Sequence, residues 1–191
     1  NSILITGANG FVGNTLCTYL AKQNLKVIRL IRNKNNNIKT LDTRTVESID
    51  QDTNWRRYLK DIDTIIHTAG YSNFPSKNNN SKSNLYKVNV LGSLHLAEQA
   101  AKCGVKRFIY ISSIKVHGEN SKIGMCFNNN SKYDPQDEYA LSKVQAEIGL
   151  ENIRSKTTLD IVIIRLPLVY GKGVKSNLLK LIKYVEKGLP L

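Results

Sequence analysis

Short apolar or β-branched runs alternate along the chain with longer stretches in which apolar residues recur at helical spacing. That alternation predicts an α/β fold, a doubly wound parallel sheet with helices on both faces, because parallel strands need helical crossovers that cover them. Strands are expected at Ile3–Thr6, Lys26–Ile31, Arg44–Ile49, Thr64–Thr68, Arg107–Ser112 and Asp160–Leu166. Helices are expected at Phe11–Gln23, Trp55–Leu59, Leu85–Cys103, Glu138–Ile153 and Val174–Glu186. In Leu85–Cys103 the apolar positions Leu85, Val88, Leu91, Leu94, Leu96, Ala97 and Ala100 hold a largely helical period. The last helix stops at Gly188-Leu189-Pro190, a sensible terminator.

Length and composition narrow the picture. The 191 residues suit one domain with a proper core. No apolar run approaches the roughly 20 residues that span a bilayer, and no charged-then-apolar leader precedes the first strand, so the expectation is a cytoplasmic protein without membrane contact. Both ends look cut: the chain opens inside its first strand without Met and stops soon after its last helix. Cys17, Cys103 and Cys126 are odd in number and show no C-x-x-C spacing, which argues against a metal site or a disulfide framework. The formal charge of +13 raises nucleic acid as a partner. The basic residues are scattered, however, and travel with asparagine in loops, so no nucleic-acid partner is expected. The asparagine triplets at 35–37, 78–80 and 128–130 all fall in expected loops, where Asn can bond its own backbone.

Two segments carry candidate chemistry. Thr6-Gly7-Ala8-Asn9-Gly10-Phe11-Val12-Gly13 lies between the first strand and first helix. One glycine there serves the tight turn, one the approach of backbone to a pyrophosphate, and one helix–strand packing, with the helix N-terminus facing the phosphates. This is a Rossmann-like dinucleotide fingerprint in the right structural context. On the helix from Glu138, Tyr139 and Lys143 stand four residues apart and share a face. An ammonium beside a phenol favours the phenolate, so Lys143 is expected to lower the Tyr139 pKa and make it a general acid/base.

Together these segments resemble the extended short-chain dehydrogenase/reductase family, of the NAD-dependent epimerase/dehydratase type. Ile111-Ser112-Ser113 ends the fifth strand ahead of Tyr139-Ala140-Leu141-Ser142-Lys143. Ile65-Ile66-His67-Thr68-Ala69-Gly70 resembles the family's fourth-strand motif, Asn89-Val90-Leu91-Gly92-Ser93 its N-V-x-G-T segment, and Arg165 through Gly171 its R-x-x-x-V-Y-G segment. More narrowly, Ser112–Gly118 and Val169–Lys175 look like a bacterial subgroup of polysaccharide-cluster enzymes. That subgroup is UDP-glucose 4-epimerase-like and includes UDP-4-keto-6-deoxy-N-acetylhexosamine reductases. The resemblance implies that residues 1–191 form the NAD(P)-binding domain, with a truncated start of the substrate lobe near 172–191 and most of that lobe absent. It implies that Ser113 bonds the sugar oxygen being oxidised or reduced, Tyr139 exchanges its proton, Lys143 holds the nicotinamide ribose and Asn89 supports them. Gly7, Asn9, Gly10, Phe11, Val12 and Gly13 would meet the cofactor with Thr68, Ala69 and Gly70. Pro167 would touch the nicotinamide, Ser48 and Ile49 occupy the adenine contact, and Asn177 is the candidate first contact to the substrate phosphate. A nucleotide sugar, UDP-linked hexosamine in particular, is the implied partner, with a homodimer through the fourth and fifth helices. His67 and His117 read as packing residues and Trp55 as a core anchor.

Departures from the family pattern sharpen the reading. No acidic residue ends the second strand: Ile31 and Arg32 stand there, with Lys34 nearby. A guanidinium can pair with a 2′-phosphate, which tilts the cofactor toward NADP and leaves NAD open through stacking of Arg32 on adenine. Ser48 replaces the family's aspartate, with Asp50 two residues on. The dehydratases follow their catalytic hydroxyl with Asp-Glu, whereas Ile114 and Lys115 follow Ser113 here, which rejects dehydration and leaves C4 epimerase and C4-keto reductase. The contrasting classes are a non-catalytic dinucleotide-binding module or truncated remnant, and a basic scaffold for polyanions.

Overall fold

A computed structural model describes residues 1–32, 41–71, 80–121, 124, 126–171, 173–174 and 176–188, with the backbone alone at 80–82 and 176–178. The strands are β1 (Ser2–Thr6), β2 (Lys26–Ile31), β3 (Asp42–Thr45), β4 (Thr64–His67), β5 (Arg107–Ser113) and β6 (Asp160–Leu166). The helices are α1 (Phe11–Lys22), α2 (Arg56–Leu59), α3 (Asn80–Leu85), α4 (Ser93–Lys102), α5 (Glu138–Lys156) and α6 (Ser176–Glu186). The six strands form one parallel sheet in the order β3-β2-β1-β4-β5-β6. This is the doubly wound arrangement, in which the order reverses between β1 and β4 and opens a crevice at the strands' carboxyl ends.

The central strands are apolar because both their faces are covered. Leu4, Ile28, Leu30, Ile65 and Phe108 face a core completed by Trp55, Leu59, Leu96, Ala97 and Leu150. On the other side Ile5, Val27, Ile31 and Ile66 pack with Cys17 of α1. Trp55, 1% exposed, is the core anchor it was expected to be. Helix α1 ends where Asn24 adopts φ 59°, a left-handed conformation that asparagine tolerates better than most residues.

Two elements differ from expectation. The third strand runs over Asp42–Thr45 rather than Arg44–Ile49, because β2 ends at Ile31 and its pairing partners there run only from Asp42 to Thr45. Val46 and Ile49 are apolar because they plug the core after the strand. The helix expected over Leu85–Cys103 begins earlier and contains a π-helical segment, Tyr86–Gly92, between α3 and α4. A π turn inserts extra residues and rotates the buried face. The buried residues are accordingly Leu85, Asn89, Val90 and Gly92, then Ser93, Leu96, Ala97 and Ala100, and a simple period misses that shift. The asparagine runs at 35–37 and 78–79, like Lys34, lie outside the described residues, whereas Asn128 bonds the Asn130 amide through its side chain at 2.9 Å.

Candidate active site

The glycine turn follows directly from its surroundings. Gly7 has φ +65°, and a Cβ there would lie 2.7 Å from the Ala69 nitrogen. A Cβ on Gly13 would stand 2.4 Å from the Gly7 oxygen and 2.6 Å from Thr68 Oγ1. The turn and the segment that follows β4 therefore approach more closely than any side chain permits. Gly10 caps α1 and has no side chain with which to bond the first amides of the helix, a turn whose residues Gly10, Phe11, Val12 and Gly13 line a cavity.

Two cavities meet at this turn, sharing Gly10, Thr68 and Gly70. The first, about 470 Å³, is lined by Gly7, Asn9, Arg32, Ser48, Ile49 and Ala69 among others. The second, about 300 Å³, is lined by Phe11, Val12, Gly13, Ser113, Tyr139, Lys143 and Pro167. Two adjoining cavities that share the glycine turn at the start of α1 suit a ligand of two halves joined by phosphates, and the glycines supply the backbone approach. The crevice thus brings together the positions expected from sequence, with two exceptions. Asn89 lines neither cavity; it is 1% exposed and clamps Tyr71, accepting from its amide at 2.7 Å and donating to its carbonyl at 3.0 Å. It also donates to Ser142 Oγ at 3.0 Å, which ties the π-helical segment to α5. The side chain of Asn177 lies outside the described residues.

The second cavity is electrostatically uneven. Lys143 is buried, its ammonium donating to the Ile111 carbonyl at 2.9 Å and lying 4.6 Å from the Tyr110 ring centroid. Burial holds its pKa down at about 8, against an upward pull from Glu147. Burial also pushes Tyr139 up, Asp137 adds to the rise, and Lys115 and a hydrogen bond with Ser113 draw it back. The expected lowering of Tyr139 by Lys143 is therefore corrected. The lysine spends its ammonium on Ile111, 5.8 Å from the phenol ring centroid, and desolvation of the phenol dominates.

His67 is a packing residue, as its flanks suggested. Its ring sits between Thr6 Oγ1 at 2.7 Å and Ser93 Oγ at 2.9 Å, and burial first, then Lys143, lower its pKa to about 3. His117 is 4% exposed, stacks on Tyr133, and bridges the Lys132 carbonyl and the Arg165 guanidinium.

Several residues escaped the sequence reading. Glu47 and Lys87 line the first cavity beside Asp50, with Lys87 3.6 Å from Asp50. Burial raises the Asp50 carboxyl, but hydrogen bonds from Ser48, the Asp52 amide and Thr53, and the Lys87 charge, hold it below its ordinary value. Behind the second cavity Glu147, fully buried, accepts from Ser112 Oγ, from Tyr133 at 2.8 Å and from Arg165 at 2.8 Å. Tyr139, Lys143 and Glu147 follow one another at four-residue steps, so the helical face itself was the available signal.

Fold and glycine turn together define an α/β domain of the dinucleotide-binding type. The chain belongs to the NAD dependent epimerase/dehydratase family, whose model matches residues 3–191. It is 38% identical over 192 residues to a UDP-glucose 4-epimerase of Vibrio cholerae, an alignment that covers 100% of this chain and 58% of that protein. It is 30% identical over 196 residues to an N-acetyl-alpha-D-glucosaminyl-diphospho-ditrans,octacis-undecaprenol 4-epimerase of Escherichia coli O157:H7, covering 98% of this chain and 55% of that protein. Among solved structures, MoeE5 in complex with UDP-glucuronic acid and NAD superposes with a TM-score of 0.83 at 26% identity, covering 100% of this chain and 63% of that one. The chain thus spans a little over half the length of the curated relatives it matches. Among the described residues no helix is long and apolar enough to cross a membrane.

Proposed function

We propose that this chain is the cofactor-binding and catalytic part of a nucleotide-sugar 4-epimerase or 4-keto reductase that uses a nicotinamide dinucleotide at sugar C4. The observation that carries the reading is the meeting of Ser113, Tyr139 and Lys143 in one cavity with the glycine turn and Pro167. When bound, the nicotinamide supplies hydride acceptance and return. Ser113 donates a hydrogen bond to the C4 oxygen and fixes its place. As the phenolate, Tyr139 takes the proton of the C4 hydroxyl during oxidation, and as the phenol it gives that proton back during reduction. Lys143 holds the nicotinamide ribose, and Asn89 positions α5 through Ser142. Asn177 stays the candidate contact to the substrate phosphate. In an epimerase the keto-sugar turns over and is reduced on its other face; in a reductase it arrives as the ketone and leaves as the alcohol.

NAD is the form named in the family description, and a UDP-linked hexosamine is the substrate class favoured by the resemblance of Ser112–Gly118 and Val169–Gly171 to the subgroup motifs. A homodimer through α4 and α5 is carried by the family resemblance alone. The test is to supply the full-length protein with UDP-N-acetylhexosamines and with their 4-keto-6-deoxy forms, following the sugar by NMR. Turnover by the wild type and a loss of about 100-fold or more in Tyr139→Phe are expected. Unchanged sugar with the wild type, or normal turnover in the variant, would overturn the reading.

A further inference from the structure

Ser113 is the last residue of β5, and the chain passes at once into a single 3-10 helical turn, Ile114–His117. The second residue of that turn, Lys115, reaches in two directions. Its backbone amide donates to Ser113 Oγ at 3.3 Å. Its ammonium donates to Glu119 at 2.7 Å and to Asp137 Oδ2 at 3.0 Å. The other oxygen of Asp137 accepts from the Ala140 amide at 2.6 Å and so caps α5, whose second residue is Tyr139. One residue is therefore linked by its backbone to the candidate serine and by its side chain to the turn that carries the candidate tyrosine.

An ordinary surface ion pair adds little to stability, and the side chains of Lys115 and Asp137 are 40% and 32% exposed. Stability alone is a weak reason for this arrangement. Its geometry supplies a better one, since Ser113 and Tyr139 come from different elements and must meet at the same sugar oxygen.

We propose that Lys115 is a positioning residue for the Ser113–Tyr139 pair, fixing the serine hydroxyl through its amide and the first turn of α5 through its contact with Asp137. The proposal rests on the reading of Tyr139 as the proton-exchanging group. It also gives Lys115 a part in this chain at the position where a dehydratase would carry an acid. The charged and titratable groups around the phenol come from three elements. Asp137 lies at the start of its own helix and Lys143 one turn on, Lys115 extends from the 3-10 turn, and Ser113 and Tyr110 belong to β5. Asp137 raises the phenol and Lys115 lowers it, while Glu119 acts on Lys115. The sign of each charge can therefore be tested separately from the architecture.

The experiment uses the full-length protein and compares wild type, Lys115→Met, Lys115→Arg and Asp137→Asn. Asparagine still caps a helix, so the last variant removes charge and keeps the turn. Two readouts are taken: the pH dependence of kcat, and the phenolate absorbance of Tyr139 as the difference from a Tyr139→Phe partner in each background. Lys115→Met is expected to lower kcat about 10-fold at neutral pH with KM little changed, and to move the phenol titration up by about half a unit. Asp137→Asn is expected to move it down by a similar amount, and Lys115→Arg to restore the wild-type profile. A merely structural role would not move the titration in opposite directions. Unmoved titrations, or shifts of the same sign in both variants, would overturn the proposal. Normal turnover in Tyr139→Phe would instead sink the underlying reading, and the absorbance difference, which needs no turnover, keeps the two failures apart.

Discussion

Glu147 and Arg165 form an ion pair behind the end of β5, with Nη2 2.8 Å from Oε2, the glutamate side chain fully excluded from solvent and the arginine side chain 20% exposed. The pair joins α5 to β6, and Ser112, next to Ser113, also bonds the carboxylate. The burial is asymmetric, and that makes the two ends of the pair unequal. Arg165→Ala strands a buried carboxylate and is expected to cost about 3–5 kcal/mol in urea unfolding. Glu147→Gln leaves a partly solvated arginine and keeps an acceptor, so about 1–2 kcal/mol is expected. Equal losses would mean that the charge is not what the burial makes costly.

His67 supplies a proton-linked stability. Its folded pKa is held near 3 by burial, below the ordinary 6.5, so the stability it contributes is present above 6.5 and is lost as pH falls toward 3. Between those limits the unfolded chain binds one proton more than the folded one. The wild type should therefore lose about 1.4 kcal/mol per pH unit more than His67→Asn between pH 6 and 4. Parallel stability curves for the two proteins across that range would show that the ring titrates normally.

What could be read from sequence, and what could not, follows from how local each signal is. The glycine turn was legible because Gly7, Gly10 and Gly13 recur at a fixed spacing between a strand and a helix, although the crowding that demands Gly7 and Gly13 comes partly from distant Thr68 and Ala69. Tyr139 and Lys143 were legible through the period of one helix. The third strand was misplaced because Val46 and Ile49 are apolar for the core rather than for the sheet. The π-helical segment was hidden because the contacts of its residues are tertiary. A Cβ on Gly92 would lie 2.7 Å from the Ile49 carbonyl, and Asn89 is held by Tyr71 and Ser142 from outside its own helix. The same holds for the tyrosine pKa. The presence of Lys143 was readable, but its commitment to the Ile111 carbonyl was not.

Gly13→Ala tests the closeness of the turn's packing on itself and on Thr68, just past β4. The added methyl would meet the Gly7 carbonyl oxygen at 2.4 Å and Thr68 Oγ1 at 2.6 Å, and backbone cannot yield as a flexible side-chain tip can. About 1–3 kcal/mol of stability should be lost, as in other overpacked sites. Dinucleotide affinity should fall by about 10-fold or more, because the turn and the α1 amides move together. Isothermal titration with NADH checks both the affinity and, through the fraction of competent sites, the fold.

The choice between NAD and NADP turns on Glu47. The tilt toward NADP rested on the absence of an acidic residue at the end of β2. The structure brings a carboxylate to the first cavity from the chain after β3, so that Glu47 and Arg32 are both among its lining residues. A carboxylate there can accept hydrogen bonds from ribose hydroxyls and repels a 2′-phosphate, while Arg32 alone would attract one. Both side chains are exposed, so the repulsion is screened by solvent and salt and the preference should be moderate. NADH is expected to bind about 10-fold more tightly than NADPH at low salt, a difference of about 1.4 kcal/mol. Glu47→Gln should narrow that ratio by weakening NADH and strengthening NADPH, and Arg32→Ala should widen it by weakening NADPH. Tighter binding of NADPH by the wild type would return the selectivity to Arg32 and leave Glu47 as a bystander at the rim.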